Sequence, residues 1–141
     1  MKKNEQTLLN SDQVVPLLGH HIIRNILMDD LLGKDHESIL YWAGKSIARK
    51  YQQESLEDII DFFTKVGWGN LTVLKEKKDE INFQLVSPYH NEKLAVTYQL
   101  EAGFLAEQYE YKKKLITEAI VQEKKDKALI TLKWDVKDPI E

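Results

Sequence analysis

An α+β domain, with helices packed against a four-stranded antiparallel sheet, is the fold class that the sequence predicts. Three observations carry it. Apolar residues recur near every fourth position up to residue 66, alternate with polar ones in two short runs between 71 and 85, and then repeat the same sequence of periods once more. Strands that come as hairpins, segregated from the helices, build antiparallel sheets. The expected order is α-α-α-β-β-α-β-β. A chain of 141 residues fits one domain, for which roughly 100–200 residues is the usual span, and can bury a core without a metal or a covalent staple.

Residues 1–15 mix Lys, Asn, Glu, Gln and Ser around Leu8 and Leu9 and read as a flexible N-terminal arm, with 16–141 as the single domain. Pro16 suits a helix start, where its missing N–H goes unneeded. Leu18, Ile22, Ile26 and the Leu31–Leu32 pair continue that helix to Gly33, a natural left-handed terminator. Asp35 is placed to cap the second helix, whose two faces are Ile39, Ala43, Ile47 and Leu40, Gly44, Ala48. A glycine in mid-helix costs up to about 1 kcal/mol relative to alanine, so Gly44 signals the close approach of another element; a merely tolerated glycine is the alternative. Ser55 and Asp58 form an S-x-x-D cap for the third helix, which carries Leu56, Ile59, Ile60, Phe63 and Val66 and stops at Gly67. Leu71 and Val73, then Ile81, Phe83 and Leu85, form a hairpin with one buried face, closed by Ser87-Pro88. From 92 to 113 two apolar stripes, one through Tyr98, Ala102, Leu105 and Tyr109 and one through Val96, Leu100 and Phe104, predict a central helix sandwiched between layers. A second hairpin, 115–122 and 128–135, ends the domain.

Composition excludes several functions. The chain has no cysteine, so thiolate nucleophiles, disulfides, iron–sulfur clusters and cysteine zinc sites are ruled out, and a reducing, cytoplasmic location is expected. Twenty basic against 23 acidic residues give −3, too small and too mixed for a nucleic-acid binder. No run without a formal charge exceeds 11 residues, whereas a spanning helix needs about 20 apolar ones, so no membrane span is expected.

No catalytic constellation stands out. His20 and His21 are neighbours pointing about 100° apart on a helix, and neither recurs at i+4, so no metal and no cofactor is predicted. Gly67-Trp68-Gly69 runs from helix to strand, the reverse of a phosphate-cradling loop. Glu101 stands beside the apolar stripe of the central helix and, if buried, needs a partner or a raised pKa. Phe62, Phe63, Trp68, Phe83, Phe104 and Trp134 read as core. Tyr41, Trp42 and Tyr98 are the aromatics that small neighbours leave room to line a pocket, with complete close packing as the alternative.

Leu40-Tyr41 with Ala43-Gly44, then Gly67-Trp68-Gly69, Ser87-Pro88 and Ala102-Gly103-Phe104-Leu105-Ala106, stand in the order and spacing of the 4-vinyl reductase-like domain. The chain thus resembles that superfamily, which is related to the Bet3 type of vesicle-tethering subunits and to haem-dependent nitric-oxide sensors, over roughly residues 17–135. Within it the chain is similar to the YslB-type small proteins of Gram-positive bacteria. The resemblance implies an apolar ligand pocket in some members and dimerisation through the first helices. On that basis the pocket residues would be Tyr41, Trp42, Tyr98, Glu101, Ala102 and Leu105, and the dimer contacts Ile22 and Ile26. The cysteines of some members are absent, Glu107 replaces a glycine, and no histidine matches a haem ligand. The expected function is a non-catalytic ligand-binding or protein-interaction module, a homodimer that holds a small apolar molecule or a protein partner. The alternative is a reductase-type subunit acting on a small hydrophobic or tetrapyrrole-like substrate.

Overall fold

A computed structural model describes residues 3–139, so the first two residues of the expected arm and the last two of the expected domain lie outside it. Helix α1 (Lys3–Leu9) belongs to the arm, and the Tyr51 hydroxyl donates to Glu5 Oε1 at 3.1 Å. The first predicted helix is one rod made of α2 (Leu17–His21), a widened π-helical stretch (Ile22–Leu27) and α3 (Met28–Leu32), closed by a 3-10 turn (Gly33–Asp35) with Gly33 at φ 68°. Helices α4 (His36–Lys50) and α5 (Leu56–Lys65) follow. The Ser55 hydroxyl accepts from the Asp58 N–H at 3.1 Å, as the S-x-x-D spacing requires, whereas Asp35 makes no side-chain cap. Gly67, at φ 80°, ends α5.

Strands β1 (Asn70–Glu76), β2 (Glu80–Val86), β3 (Leu115–Glu123) and β4 (Ala128–Pro139) form one antiparallel sheet in the order β1-β2-β4-β3, so each hairpin pairs internally and β2 joins β4. Phe83 sits opposite Ile130 and Ile81 opposite Leu132, all fully buried beneath the helices. The other sheet face is mixed, with Ile116 and Ile120 exposed on β3 and the Thr131 hydroxyl donating to Asn82 Oδ1 at 2.7 Å. β3 is an edge strand, yet two of its amides are occupied from the helical layer. Thr117 N–H donates to Glu110 Oε1 and Ala119 N–H to the Tyr41 hydroxyl, each at 3.1 Å.

The central helix, α7 (Gln99–Lys113), lies between the sheet and α4, and every residue from Leu100 to Ala106 is buried. It begins seven residues later than the periodicity predicts. Ser87 and His90 close a capping box around the short helix α6 (Pro88–Asn91), and Lys93 turns to φ 56°, which ends the helical path before α7 begins. The α4–α7 contact is made by two glycines. A Cβ on Gly44 would stand 2.0 Å from the Leu100 carbonyl oxygen, and one on Gly103 would stand 1.9 Å from that of Tyr41. The close approach expected at Gly44 is therefore present, and the glycine is not merely tolerated. Phe104 stacks on Phe62 at 5.0 Å and meets Trp68 edge-on at 5.2 Å, and all six aromatics expected in the core are buried.

Candidate functional site

The rod at 17–32 has its faces reversed relative to a surface helix. Leu18, Ile22, Ile23, Ile26, Leu27 and Leu31 point outward, each at least 42% exposed. Its inner side is polar. Arg24, with 10% of its side chain exposed, donates through Nη2 to both carboxylate oxygens of Glu101 at 2.5 and 2.7 Å, and Glu101 is 1% exposed. Burial works against the charge on Arg24, but the Glu101 carboxylate facing it and accepting its hydrogen bonds more than offsets this and raises its pKa. His20 Nδ1 pairs with the Tyr89 hydroxyl, and its ring stacks on Tyr89 at 5.8 Å. Asn25 Nδ2 donates to His21 Nδ1 at 2.8 Å.

Beneath this helix lies a second set of polar groups. The Ser87 and Tyr98 hydroxyls are 2.6 Å apart, and the His90 ring stacks on Tyr98 at 4.9 Å. His90 Nδ1 accepts the Ser87 N–H at 2.9 Å. Burial pushes the Tyr98 phenol up to about 12, so it keeps its proton at neutral pH, and burial lowers the His90 pKa, favouring the neutral ring. These groups fasten the rod and the 87–98 segment to α7. Among the described residues no group of three or more His, Asp or Glu gathers as metal ligands.

The six residues expected to line one pocket occupy separate places. Tyr41, half-buried, and Trp42, 64% exposed, border a surface groove of about 430 Å³ with Glu118 and Ile120, and Lys45 Nζ lies 5.5 Å from the Trp42 ring centre. Tyr98 borders a different cavity of about 340 Å³ between the 93–96 segment and the β3–β4 turn. Ala102 and Leu105 are fully buried in the core, and Glu101 is held by Arg24. Ile22 and Ile26, the expected dimer contacts, are 46% and 48% exposed on the outer face of the rod.

Sequence reasoning passed over Arg24 and Tyr89, and weighed the histidines, His20 and His90 among them, only as metal ligands. A signal existed for Arg24, which carries the only formal charge between Gln13 and Met28. His90 occupies the third helical position after a Ser-Pro start, where a capping partner belongs.

Comparison with known proteins agrees with the fold. The family model described as "Protein of unknown function (DUF2507)" matches residues 17–135. The chain is 44% identical over 128 residues, 86% of each chain, to the protein named "Uncharacterized protein YslB" from Bacillus subtilis (strain 168). Among solved structures it is similar to a vinyl-4-reductase family protein from Methanocaldococcus jannaschii, with TM-score 0.70 and 19% identity over 94% of this chain and 89% of that one. It is also similar to a trafficking protein particle complex subunit 3 from Naegleria fowleri covalently bound to palmitic acid, with TM-score 0.50 and 12% identity over 100% and 99% of the two chains. At those identities the structural likeness establishes the fold.

Proposed function

The chain belongs to the DUF2507 family, and from that premise we propose that it is a non-catalytic interaction module that assembles as a homodimer through the outer face of the 17–32 rod. The observation that carries this is the reversed amphipathicity. Proteins that stay monomeric rarely leave a contiguous apolar patch above a few hundred Å², and here six large aliphatic side chains on successive turns stand in water. The rod cannot roll to hide them without pulling Arg24 from Glu101 and His20 from Tyr89. Residues 13–23 carry no formal charge, so the first half of this face brings no like charges together, and Asp29 and Asp30 lie only toward its far end. A cytoplasmic setting suits a chain without cysteine. With no thiol, the chain also lacks a cysteine to which a fatty acid could be attached.

Light scattering coupled to size-exclusion chromatography tests the assembly. The expected mass is twice the 16.5 kDa of one chain. Ile22→Asp and Ile26→Asp each return the mass to one chain while the far-ultraviolet circular dichroism stays that of the parent. A wild-type monomer at millimolar concentration would overturn the assignment.

A further inference from the structure

The cavity that Tyr98 borders is lined by none of the outward-facing aliphatic residues of the rod and has a chemistry of its own. Its volume, about 340 Å³, is at the lower end of the roughly 300–1,000 Å³ range of small-molecule sites. Leu94, Val96 and Tyr98 supply apolar wall, and Leu94 is left 44% exposed without a covering neighbour. Lys93, Lys124 and Lys125 stand around the mouth, and none makes an ion pair among the described residues. Lys93 is held at its left-handed φ of 56°, with its own N–H donated to the His90 carbonyl at 3.2 Å.

His90 adds a directed donor. It is 7% exposed, and its Nδ1 is committed to the Ser87 N–H. The neutral ring therefore carries its proton on Nε2. No protein acceptor takes that N–H among the described residues, and Nε2 is not among the sealed, unpaired atoms, which leaves a donor within reach of solvent on a residue that lines this cavity. Glu123 is the one carboxylate on the cavity wall against three ammonium groups, with Glu37 facing Glu123 and Asp126 near His90 beyond the lining.

We propose that this cavity binds a small organic anion, a carboxylate on an apolar body. The carboxylate accepts from His90 Nε2–H and is neutralised by Lys93, Lys124 and Lys125. The apolar body covers Leu94 and lies along Val96 and Tyr98. The two halves of the site demand two halves of one ligand: inorganic anions leave the apolar wall wet, and neutral alcohols leave the lysines unanswered.

The test is an amide-shift titration of the full chain with sodium octanoate, with octan-1-ol and inorganic phosphate as controls. Octanoate is expected to shift residues 90–98 and 123–126 saturably. The exposed pair Lys124→Glu and Lys125→Glu, made together, should weaken it by about tenfold, the weight of roughly one charge-assisted contact. Octanol and phosphate should each bind at least as weakly as octanoate binds that variant. The assignment fails if octanoate shifts nothing, if its shifts fall on residues 14–31, if the charge reversal leaves its affinity unchanged, or if either control matches it.

Discussion

Arg24 and Glu101 are 77 residues apart in sequence, Glu101 sealed from water and Arg24 nearly so, and each is tolerable only because of the other. Removing one partner of a buried pair costs about 3–5 kcal/mol, whereas replacing both with apolar groups of similar size is often close to neutral. Arg24→Met should therefore lower the urea midpoint strongly, and Arg24→Met with Glu101→Leu should recover most of the loss. Equal losses in the single and double variants would mean that the pair is not coupled. The sequence marked Glu101 only conditionally, as a carboxylate beside the apolar stripe of the central helix that would need a partner if buried; its burial follows from that helix lying between the sheet and α4. Its partner was not marked, since nothing local links a residue in the first helix to one in the last.

His90 gives a pH-dependent contribution at the same scale. Its native pKa lies below the ordinary histidine value of 6.5, chiefly through burial, with Asp126 pulling the other way. Below pH 6.5 the unfolded chain binds a proton that the native state resists, so stability falls as pH drops from there toward the lowered native value. Glu123, raised by burial, acts in the opposite sense. His90→Gln keeps a capping-box residue at this position and leaves Glu123 in place. Between about pH 7.5 and about pH 5.5 the parent should lose more of its urea midpoint than His90→Gln does. Parallel losses would remove His90 as the cause.

Among the elements, the α4–α7 crossing is the most demanding. Both Gly44 and Gly103 put backbone against backbone, where no flexible side-chain end can yield. Gly103→Ala must push the helices apart, at a cost of about 1–3 kcal/mol or more, and thermal unfolding should show a lower midpoint. An unchanged midpoint would mean that the helices are not in contact there. Gly44 announced this crossing in the sequence because a glycine between Ala43 and Ala48 has no local reason to be in a helix. The start of α7 was not announced. Leu94 and Tyr98 keep a helical spacing through a segment that is not helical, and Lys93 takes the left-handed turn without the glycine that would have marked it.

At the scale of the whole molecule, alternation and spacing were enough to specify the layers, because each buried face must repeat with the period of its element. The candidate surfaces were less legible. Ile22 and Ile26 belong to a stripe that, by pattern alone, reads equally as core or as contact; only the position of Arg24 on the reverse side decides which way the rod faces. The predicted pocket residues dispersed for a related reason. Aromatic and small residues on α4 and α7 interlock through the two glycines and leave no gap between the helices for a guest.

The plugged border of β3 has a consequence for how copies of this chain can meet. An exposed strand margin ordinarily invites the next molecule to extend the ladder, and that process has no natural end. With Glu110 and Tyr41 already seated on two amides in the middle of that margin, ribbon-like stacking is blocked at its first rung. A pair joined helix to helix about a twofold axis then finds the first half of the β3 seam already taken when a third copy approaches.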